Sequence, residues 1–214
     1  MLITPNTYLY LIRHGESNIN TIPGTFGGRQ NESPLTEKGM EQAKKLGRYF
    51  IEQSIIPTQV YSSPAVRAYE TGRMSLGVAG IDVPIVTTDR LQELSRGAWT
   101  GRTRAEIDAD DDIQAAMARE GMDYKPEGGE SMRDVYTRMV EWADSAKDPA
   151  YSPEDPQRIV AYTHSNAIGC FVAAASGITR HYTDSIPIGQ ASVSVFSSTG
   201  KAWEIESVNI NTQE

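Results

Sequence analysis

The chain has 214 residues, a formal net charge of −8 and 39% hydrophobic residues. This length is sufficient to bury a core, and we expect one domain that spans residues 1–214. Because the protein is acidic and has no run of lysine or arginine, we do not expect it to bind nucleic acid. A site for an anionic ligand would therefore have to be a local cationic pocket.

Signals for export, for a membrane span and for a metal site are missing from the sequence. The beginning of the chain lacks a basic segment followed by a long apolar stretch, and no apolar run is long enough to cross a membrane. The lone Cys170 excludes an internal disulfide, and its apolar neighbours predict a buried thiol. With three histidines and no paired cysteines, no zinc site is expected. We expect a cytoplasmic protein that needs no metal or other cofactor and does not bind membranes.

Predicted strands and helices alternate along the chain. The apolar run at residues 8–12 has the unbroken hydrophobicity of a strand that is covered on both faces. The polar, glycine-rich segment 18–34 is expected to be an irregular binding loop. The next predicted elements are a helix capped by Thr36, a strand at 58–62, a helix with Pro64 in its first turn and a strand at 84–88. They are followed by a helix from about Ser131, a strand at 158–163 and a helix at 167–177 capped by Ser165 or Asn166. The last predicted element is a hairpin of 191–196 with 203–208. This order predicts a three-layer α/β/α sandwich with a mostly parallel central sheet.

Two of the predicted strands are followed by a histidine. Residues 13–17 read Arg-His-Gly-Glu-Ser directly after the first strand, and His164 follows the strand at 158–163. Ligands bind at the carboxyl ends of parallel strands, so both histidines are expected at the same edge of the sheet. A neutral imidazole is a nucleophile, and a guanidinium group fits the oxygens of a phosphate. An isolated Arg-His-Gly tripeptide would indicate only a turn beside a surface arginine.

Four segments together resemble the histidine phosphatase superfamily, also called the phosphoglycerate mutase-like family. They are residues 13–17 with Asn20, residues 62–64 with Arg67, residues 91–93 with the nearby Gly97, Trp99 and Gly101, and residues 163–166. Further segments similar to family landmarks are residues 34–37, 128–131 and 186–189, and Gly28 with Arg29 falls near the family's substrate-contacting loop. The resemblance covers nearly the whole chain. Each motif is weak alone, but their joint order is specific, and it implies the phosphoglycerate mutase-like fold.

The resemblance implies phosphoryl transfer through a covalent intermediate on His14. In this scheme Arg13 and Arg67 hold the phosphoryl oxygens with their planar guanidinium groups, which a lysine could not replace. Asn20 adds a neutral donor, and His164 donates to the same oxygens. Backbone N–H groups at the start of the helix after His164 would add further donors.

The resemblance also implies a general acid, for which the family uses two positions. One is a glutamate in the loop after the middle strand, here Glu93, and the other is an aspartate directly after the second histidine. Ser165 and Asn166 occupy the second position, which leaves Glu93 as acid and later as base. Glu16 is the rival carboxylate, although in the family pattern it accompanies the nucleophile. Ser165 departs from the glycine that usually follows the second histidine, and its side chain would either crowd the pocket or shift His164.

Three functions follow from these motifs. The first is a metal-independent phosphatase for a small phosphorylated metabolite, the second is a phosphoglycerate mutase, and the third is a silent phosphate-binding protein. Mutases of the family resemble a Glu-Arg-His-Tyr-Gly pattern, whereas Glu93 is followed by Leu-Ser-Arg-Gly at residues 94–97, which favours hydrolysis. The complete set of motif residues argues against a silent protein. Arg96, Arg102 and Arg104 are interpreted as solvating their loop rather than as binding a second phosphate. The sequence leaves the metabolite and the oligomeric state open.

Overall fold

A computed structural model of the chain describes residues 4–177, 187–200 and 202–213. The strands are β1 (Thr7–Arg13), β2 (Gln59–Ser62), β3 (Ile85–Thr87), β4 (Gln157–Thr163), β5 (Val193–Ser198) and β6 (Trp203–Ile210). The helices are α1 (Glu37–Glu52), α2 (Val66–Ala79), α3 (Arg104–Asp108), α4 (Asp111–Glu120), α5 (Met132–Ser145) and α6 (Ser165–Ala175). None of the helices in the described ranges is long and apolar enough to cross a membrane.

The strands form one sheet in the order β3-β2-β4-β1-β5-β6. Neighbouring strands from β3 to β1 are parallel, whereas β5 is antiparallel to β1, and β6 is antiparallel to β5. The mostly parallel sheet is therefore confirmed, and so is the hairpin near the end of the chain. The antiparallel pair extends the sheet on one side of β1, which leaves β1 and β4 at its centre.

Helices cover both faces of the central strands. In β4, Ile159 and Ala161 belong to the core that α5 and α6 complete, while Val160 and Tyr162 belong to the opposite core, with α1 and α2. All four side chains are fully buried. Burial on both faces is the reason why β1 and β4 carry unbroken apolar runs, and it confirms the predicted three layers. Cys170, on α6, is a buried free thiol, as expected.

The helix starts agree with the capping signals at two places. The Thr36 hydroxyl accepts the Gly39 N–H at 3.0 Å, and Ser131 and Asp134 form a reciprocal capping box at the start of α5. Residues 18–34 are irregular as predicted, apart from a single 3₁₀ turn at Asn18–Thr21. The segment 178–186, which includes the first residue of the landmark 186–189, lies outside the described residues.

Two helix starts differ from the predictions. Helix α2 begins at Val66 rather than with Pro64 in its first turn, because Ala65 has an extended backbone and is the N-cap residue, so Pro64 precedes the helix. Helix α6 begins at Ser165, with His164 at the N-cap position, so Ser165 and Asn166 are its first-turn residues and not its caps. The earlier start places backbone N–H groups of α6 directly beside the end of β4.

Two glycines allow the turn after β1 to touch the start of α1. A Cβ atom on Gly39 would lie 1.9 Å from the carbonyl oxygen of Glu16, and one on Gly15 would lie 2.6 Å from the carbonyl oxygen of Gly39. Neither position can carry a side chain unless the backbones separate. Helix α1 therefore packs directly against the turn that follows His14.

We expect Gly39→Ala to lower the free energy of unfolding by about 2 kcal/mol, the usual cost of forcing an extra carbon into a packed contact. Alanine favours a helix over glycine by up to about 1 kcal/mol, but the contact with backbone atoms outweighs that gain. Gly77→Ala is the matched control, because Gly77 lies on α2 with open space around its Cβ position. It should stabilise the protein by roughly 0.5–1 kcal/mol. Urea unfolding measures both changes, and a neutral Gly39→Ala would contradict the close packing.

Candidate active site

The register of the two central strands brings the two histidines together. Arg13 pairs with Thr163 at the ends of β1 and β4, and the backbone N–H of His14 donates to the Thr163 carbonyl at 3.0 Å. His14 and His164 are the next residues of the two strands, and their ring centroids lie 5.0 Å apart. The expected meeting of the two histidines at one sheet edge is confirmed.

The hydrogen bonds of His14 fix its tautomer. Its Nδ1 lies 2.6 Å from the Gly15 carbonyl oxygen, which can only accept, so Nδ1 carries the proton. The Nε of Arg67 donates to Nε2 of His14 at 3.1 Å, so Nε2 is the unprotonated nitrogen. Burial, and then the positive charges of Arg67 and Arg13, hold the pKa of His14 well below its usual range. His14 is therefore a neutral imidazole with a lone pair on Nε2.

His164 is also neutral and is completely buried. Its Nδ1 lies 3.3 Å from a terminal nitrogen of Arg67, which can only donate, and its Nε2 lies 2.9 Å from the hydroxyl of Ser63. The proton is thus on Nε2 and points to Ser63. Burial lowers the pKa of His164 first of all, followed by His14 and Arg67. The structure places His164 behind Arg67, and its donation to a phosphoryl group stays a prediction.

Arg67 lies at the centre of this arrangement, on the first turn of α2. In addition to the two histidines, its guanidinium group donates to the Gln30 carbonyl at 2.6 Å. Arg13 donates to the Ile188 carbonyl at 2.5 Å. Among the described residues, the buried Nε of Arg13 has no hydrogen-bond acceptor. A buried donor without an acceptor is costly, and a ligand oxygen would satisfy it.

Asn20 and Glu16 occupy different surroundings. The side-chain oxygen of Asn20 accepts from the backbone N–H and the hydroxyl of Ser17, at 3.0 and 2.9 Å, which leaves its NH₂ group as the donor of this side chain. The Glu16 carboxylate instead pairs with Lys38 at 2.8 Å and accepts from Thr36 at 3.0 Å. The bond to Lys38 is the main cause that lowers the pKa of Glu16. Glu16 does not line the pocket, so the geometry separates it from the other motif residues.

Glu93 reaches the site from the loop that follows β3. One of its carboxylate oxygens accepts the Leu94 N–H at 2.8 Å, and the other lies 3.4 Å from the N–H of Asn166 in the first turn of α6. The loop is tied to β4 because the hydroxyl of Thr163 donates to the Leu91 carbonyl at 2.7 Å. Glu93 therefore lies at the start of the helix that follows His164, where its charge acts on Arg13 and Arg67.

These side chains line a cavity of about 440 Å³ at the carboxyl ends of the parallel strands. The site residues that line it are Arg13, His14, Asn20, Arg67 and Glu93. Its other lining residues come mainly from the segment 19–28 and from the first turn of α6. Four arginines against one glutamate give the cavity a positive charge inside an acidic protein. This is the local cationic pocket that the composition required.

Two of the lining arginines were misinterpreted from the sequence. Arg96 and Arg104 line the cavity instead of only solvating their loop, while Arg102 does not line it. Their guanidinium carbons lie 4.8 and 5.4 Å from the ring centroid of Phe26. Arg96 also donates to the side chain of Asn166 at 3.3 Å. The sequence carried no signal for this cluster, because it depends on how the segment 19–28 folds over the loop after β3.

The titratable side chains of the described residues are not arranged as metal ligands. Within residues 4–177, 187–200 and 202–213, no three histidine, cysteine, aspartate or glutamate side chains are grouped as a metal ion would need. The donors that converge on the cavity are mostly guanidinium and backbone N–H groups, which bind oxyanions.

Curated relatives of the chain are named as mutases. A 2,3-bisphosphoglycerate-dependent phosphoglycerate mutase of Beijerinckia indica is 29% identical over 178 residues, which cover 80% of this chain and 82% of the relative. A probable phosphoglycerate mutase of Photorhabdus laumondii is 28% identical over 200 residues, covering 91% and 86% of the two chains. Both of these relatives therefore carry the name of a phosphoglycerate mutase.

Solved structures of similar fold include phosphatases. YhfR of Bacillus stearothermophilus has a TM-score of 0.81 and 29% identity, covering 96% of this chain and 98% of that one. The mycobacterial glucosyl-3-phosphoglycerate phosphatase in complex with VO3 has a TM-score of 0.78 and 26% identity, covering 96% and 100% of the chains. The family model for branch 1 of the histidine phosphatase superfamily matches residues 9–211. The chain thus belongs to the histidine phosphatase superfamily, with the phosphoglycerate mutase-like fold.

Proposed function

We propose that the protein is a phosphatase that hydrolyses a small phosphomonoester through a phosphohistidine on His14, without a metal ion. The observation that carries this proposal is the unprotonated Nε2 of His14, which faces Arg67 in a cationic cavity. A neutral imidazole nitrogen can act as the nucleophile, and the guanidinium groups beside it can stabilise the negative charge on the phosphoryl oxygens during transfer.

In the first step Nε2 of His14 attacks phosphorus and the ester P–O bond breaks. The bond electrons stay on the leaving oxygen, which takes a proton from Glu93. Before substrate binds, Arg67 Nε donates a hydrogen bond to the lone pair of His14 Nε2 at 3.1 Å. As the substrate enters, this N–H turns to a phosphoryl oxygen and leaves the lone pair free to attack. Arg13 and the NH₂ group of Asn20 supply further donors, and the negative charge of the phosphoryl group raises the tendency of His164 to take up a proton.

In the second step water attacks the phosphohistidine. Glu93 takes a proton from the water, the P–N bond breaks, and its electrons return to Nε2 of His14. Glu93 is suited to both steps because its carboxylate lines the cavity, whereas the Glu16 carboxylate is bonded to Lys38 and Thr36 outside it.

Two observations favour hydrolysis over the mutase reaction. Asn20 and Ile22 line the cavity and are exposed, so solvent reaches the site on that side. A mutase must protect its phosphoenzyme from water. The residues after Glu93 also depart from the mutase pattern, since Arg96 stands where that pattern has tyrosine.

Arg96 and Arg104 support a proposal for the class of substrate. Both line the cavity, and their guanidinium carbons lie 4.8 and 5.4 Å from the ring centroid of Phe26. We propose that they bind a second acidic group of the substrate, such as a carboxylate, whose oxygens fit the planar N–H donors of a guanidinium group.

His14→Asn should reduce turnover of para-nitrophenyl phosphate at least roughly a thousandfold, because the phosphoryl acceptor is lost. EDTA should leave the parent rate unchanged. Quenching the parent protein in alkaline detergent during turnover of a ³²P-labelled ester should trap label on the protein, because the P–N bond of phosphohistidine survives in base but is hydrolysed in acid. The variant should trap none. Circular dichroism serves as the folding control. Turnover by His14→Asn close to that of the parent would contradict the assignment of the nucleophile.

Glu93→Gln should lower kcat/KM for an alkyl ester, glycerol 3-phosphate, about a hundredfold, but should lower it far less for para-nitrophenyl phosphate. The alkoxide needs a proton in order to leave, whereas nitrophenolate does not. Glu16→Gln is the matched control. Its kcat/KM should stay near the parent value for glycerol 3-phosphate and for para-nitrophenyl phosphate. If Glu16→Gln showed the selective loss instead, the acid would have to be reassigned.

Arg104→Gln should raise KM about tenfold for 3-phosphoglycerate but not for glycerol 3-phosphate, since only the former ends in a carboxylate and a charged hydrogen bond contributes on this scale. Arg102→Gln, from the same loop but outside the cavity lining, is the control. Equal KM changes for both esters would show that Arg104 does not recognise the second acidic group.

A further inference from the structure

Glu130 belongs to the landmark 128–131, to which the sequence analysis assigned no role. It lies behind the segment 88–103, between β3 and α3, which carries Glu93 and is called the acid loop below. Its side chain is 18% exposed and bridges two arginines. One oxygen accepts from Arg29 at 2.6 Å and from Arg138 Nε at 3.2 Å. The other accepts from the Ser95 N–H at 3.1 Å and from a terminal nitrogen of Arg138 at 3.3 Å. Every partner of this carboxylate is therefore a donor.

Both arginines also hold the backbone of the acid loop. Arg29 Nε donates to the carbonyl of Glu93 at 3.0 Å, and Arg138 donates to the same carbonyl at 3.3 Å. Arg138 reaches further carbonyls of the loop, those of Gln92 at 2.7 Å and Arg90 at 2.6 Å. The main chain of Glu93 is thus held from two sides. Arg138 holds it from α5, and Arg29 holds it from the end of the segment that lines the cavity.

The backbone reinforces this arrangement. The Glu130 N–H donates to the Ser95 carbonyl at 2.9 Å, and the Ala98 N–H donates to the Glu127 carbonyl at 2.9 Å. Gly97, between these two bonds, has φ of +49°, and a Cβ there would lie 2.1 Å from the Glu127 oxygen. The loop after Glu93 and the turn that carries Glu130 therefore pack as one unit.

We infer that Glu130 is a positioning residue for the general acid and acts through Arg29 and Arg138. The inference rests on the proposed function, in which Glu93 protonates the leaving oxygen. Glu130 orients both guanidinium groups, and these fix the main chain from which the Glu93 carboxylate projects. Proton transfer depends strongly on the placement of the acid, and a displacement on the order of 1 Å is enough to lower the rate greatly.

The test is Glu130→Gln. All hydrogen-bond partners of the Glu130 carboxylate are donors. The NH₂ group of the glutamine would therefore face a donor in either orientation of the amide. The variant thus disturbs the network but keeps the size and shape of the side chain. We expect kcat/KM for glycerol 3-phosphate to fall about tenfold, with a much smaller loss for para-nitrophenyl phosphate and an unchanged inhibition constant for inorganic phosphate. A merely structural role would lower kcat/KM for both esters to a similar extent and would raise the inhibition constant for inorganic phosphate.

Glu141→Gln is the matched control, because Glu141 pairs with Arg90 of the same loop at 2.8 Å but does so at the exposed surface. Arg29→Lys is the second variant. The lysine keeps a positive charge beside Glu130 but cannot also donate to the Glu93 carbonyl. We expect the same selective loss of activity on glycerol 3-phosphate, so this variant tests the inference even if Glu130→Gln does not fold.

The outcomes separate this inference from the proposed function. Equal losses on the two esters in both variants, or the selective loss in Glu141→Gln, would overturn the role of Glu130. If Glu93→Gln alone shows the selective loss, the inference fails and the proposed function stands. If the parent protein hydrolyses neither ester, the proposed function fails, and the inference fails with it.

Discussion

The site depends on the parallel pairing of β1 with β4. Their register sets Arg13 opposite Thr163, so the two chains leave the sheet side by side, and each delivers a histidine at its first residue beyond the strand. A shift of the register by one residue would reverse the faces of every side chain in one strand. Burial on both faces makes such a shift costly, because the apolar side chains of β4 fill separate cores.

Arg67 links this backbone geometry to the chemistry. It contacts both imidazoles, and burial together with the charge of Arg67 keeps both pKa values low. Under the proposed function, the same charge would bind the oxygens of a phosphoryl group. Arg67 would therefore help to keep the nucleophile unprotonated and would also attract a phosphorylated substrate to a pocket in an acidic protein.

The carboxylate of the site comes from another part of the fold, the loop beyond the sheet-edge strand β3. No strand register positions this loop. It is positioned by Thr163, by Arg29 and Arg138, and by the turn that contains Glu130. Since Arg29 follows the segment that lines the cavity, the same network connects that segment with the part of the chain that carries Glu93.

The sequence by itself determined the layers and the parallel strands, because apolar periodicity and the order of the elements can be read along the chain. The motif residues His14, Arg67 and Glu93 came from the resemblance to the histidine phosphatase superfamily. Only the tertiary structure decided that Arg96 and Arg104 line the cavity, that Glu16 lies outside it, and that Glu130 joins two arginines behind Glu93. These facts depend on long-range packing of irregular loops, whose path is fixed by contacts with distant residues and not by any pattern within the loops.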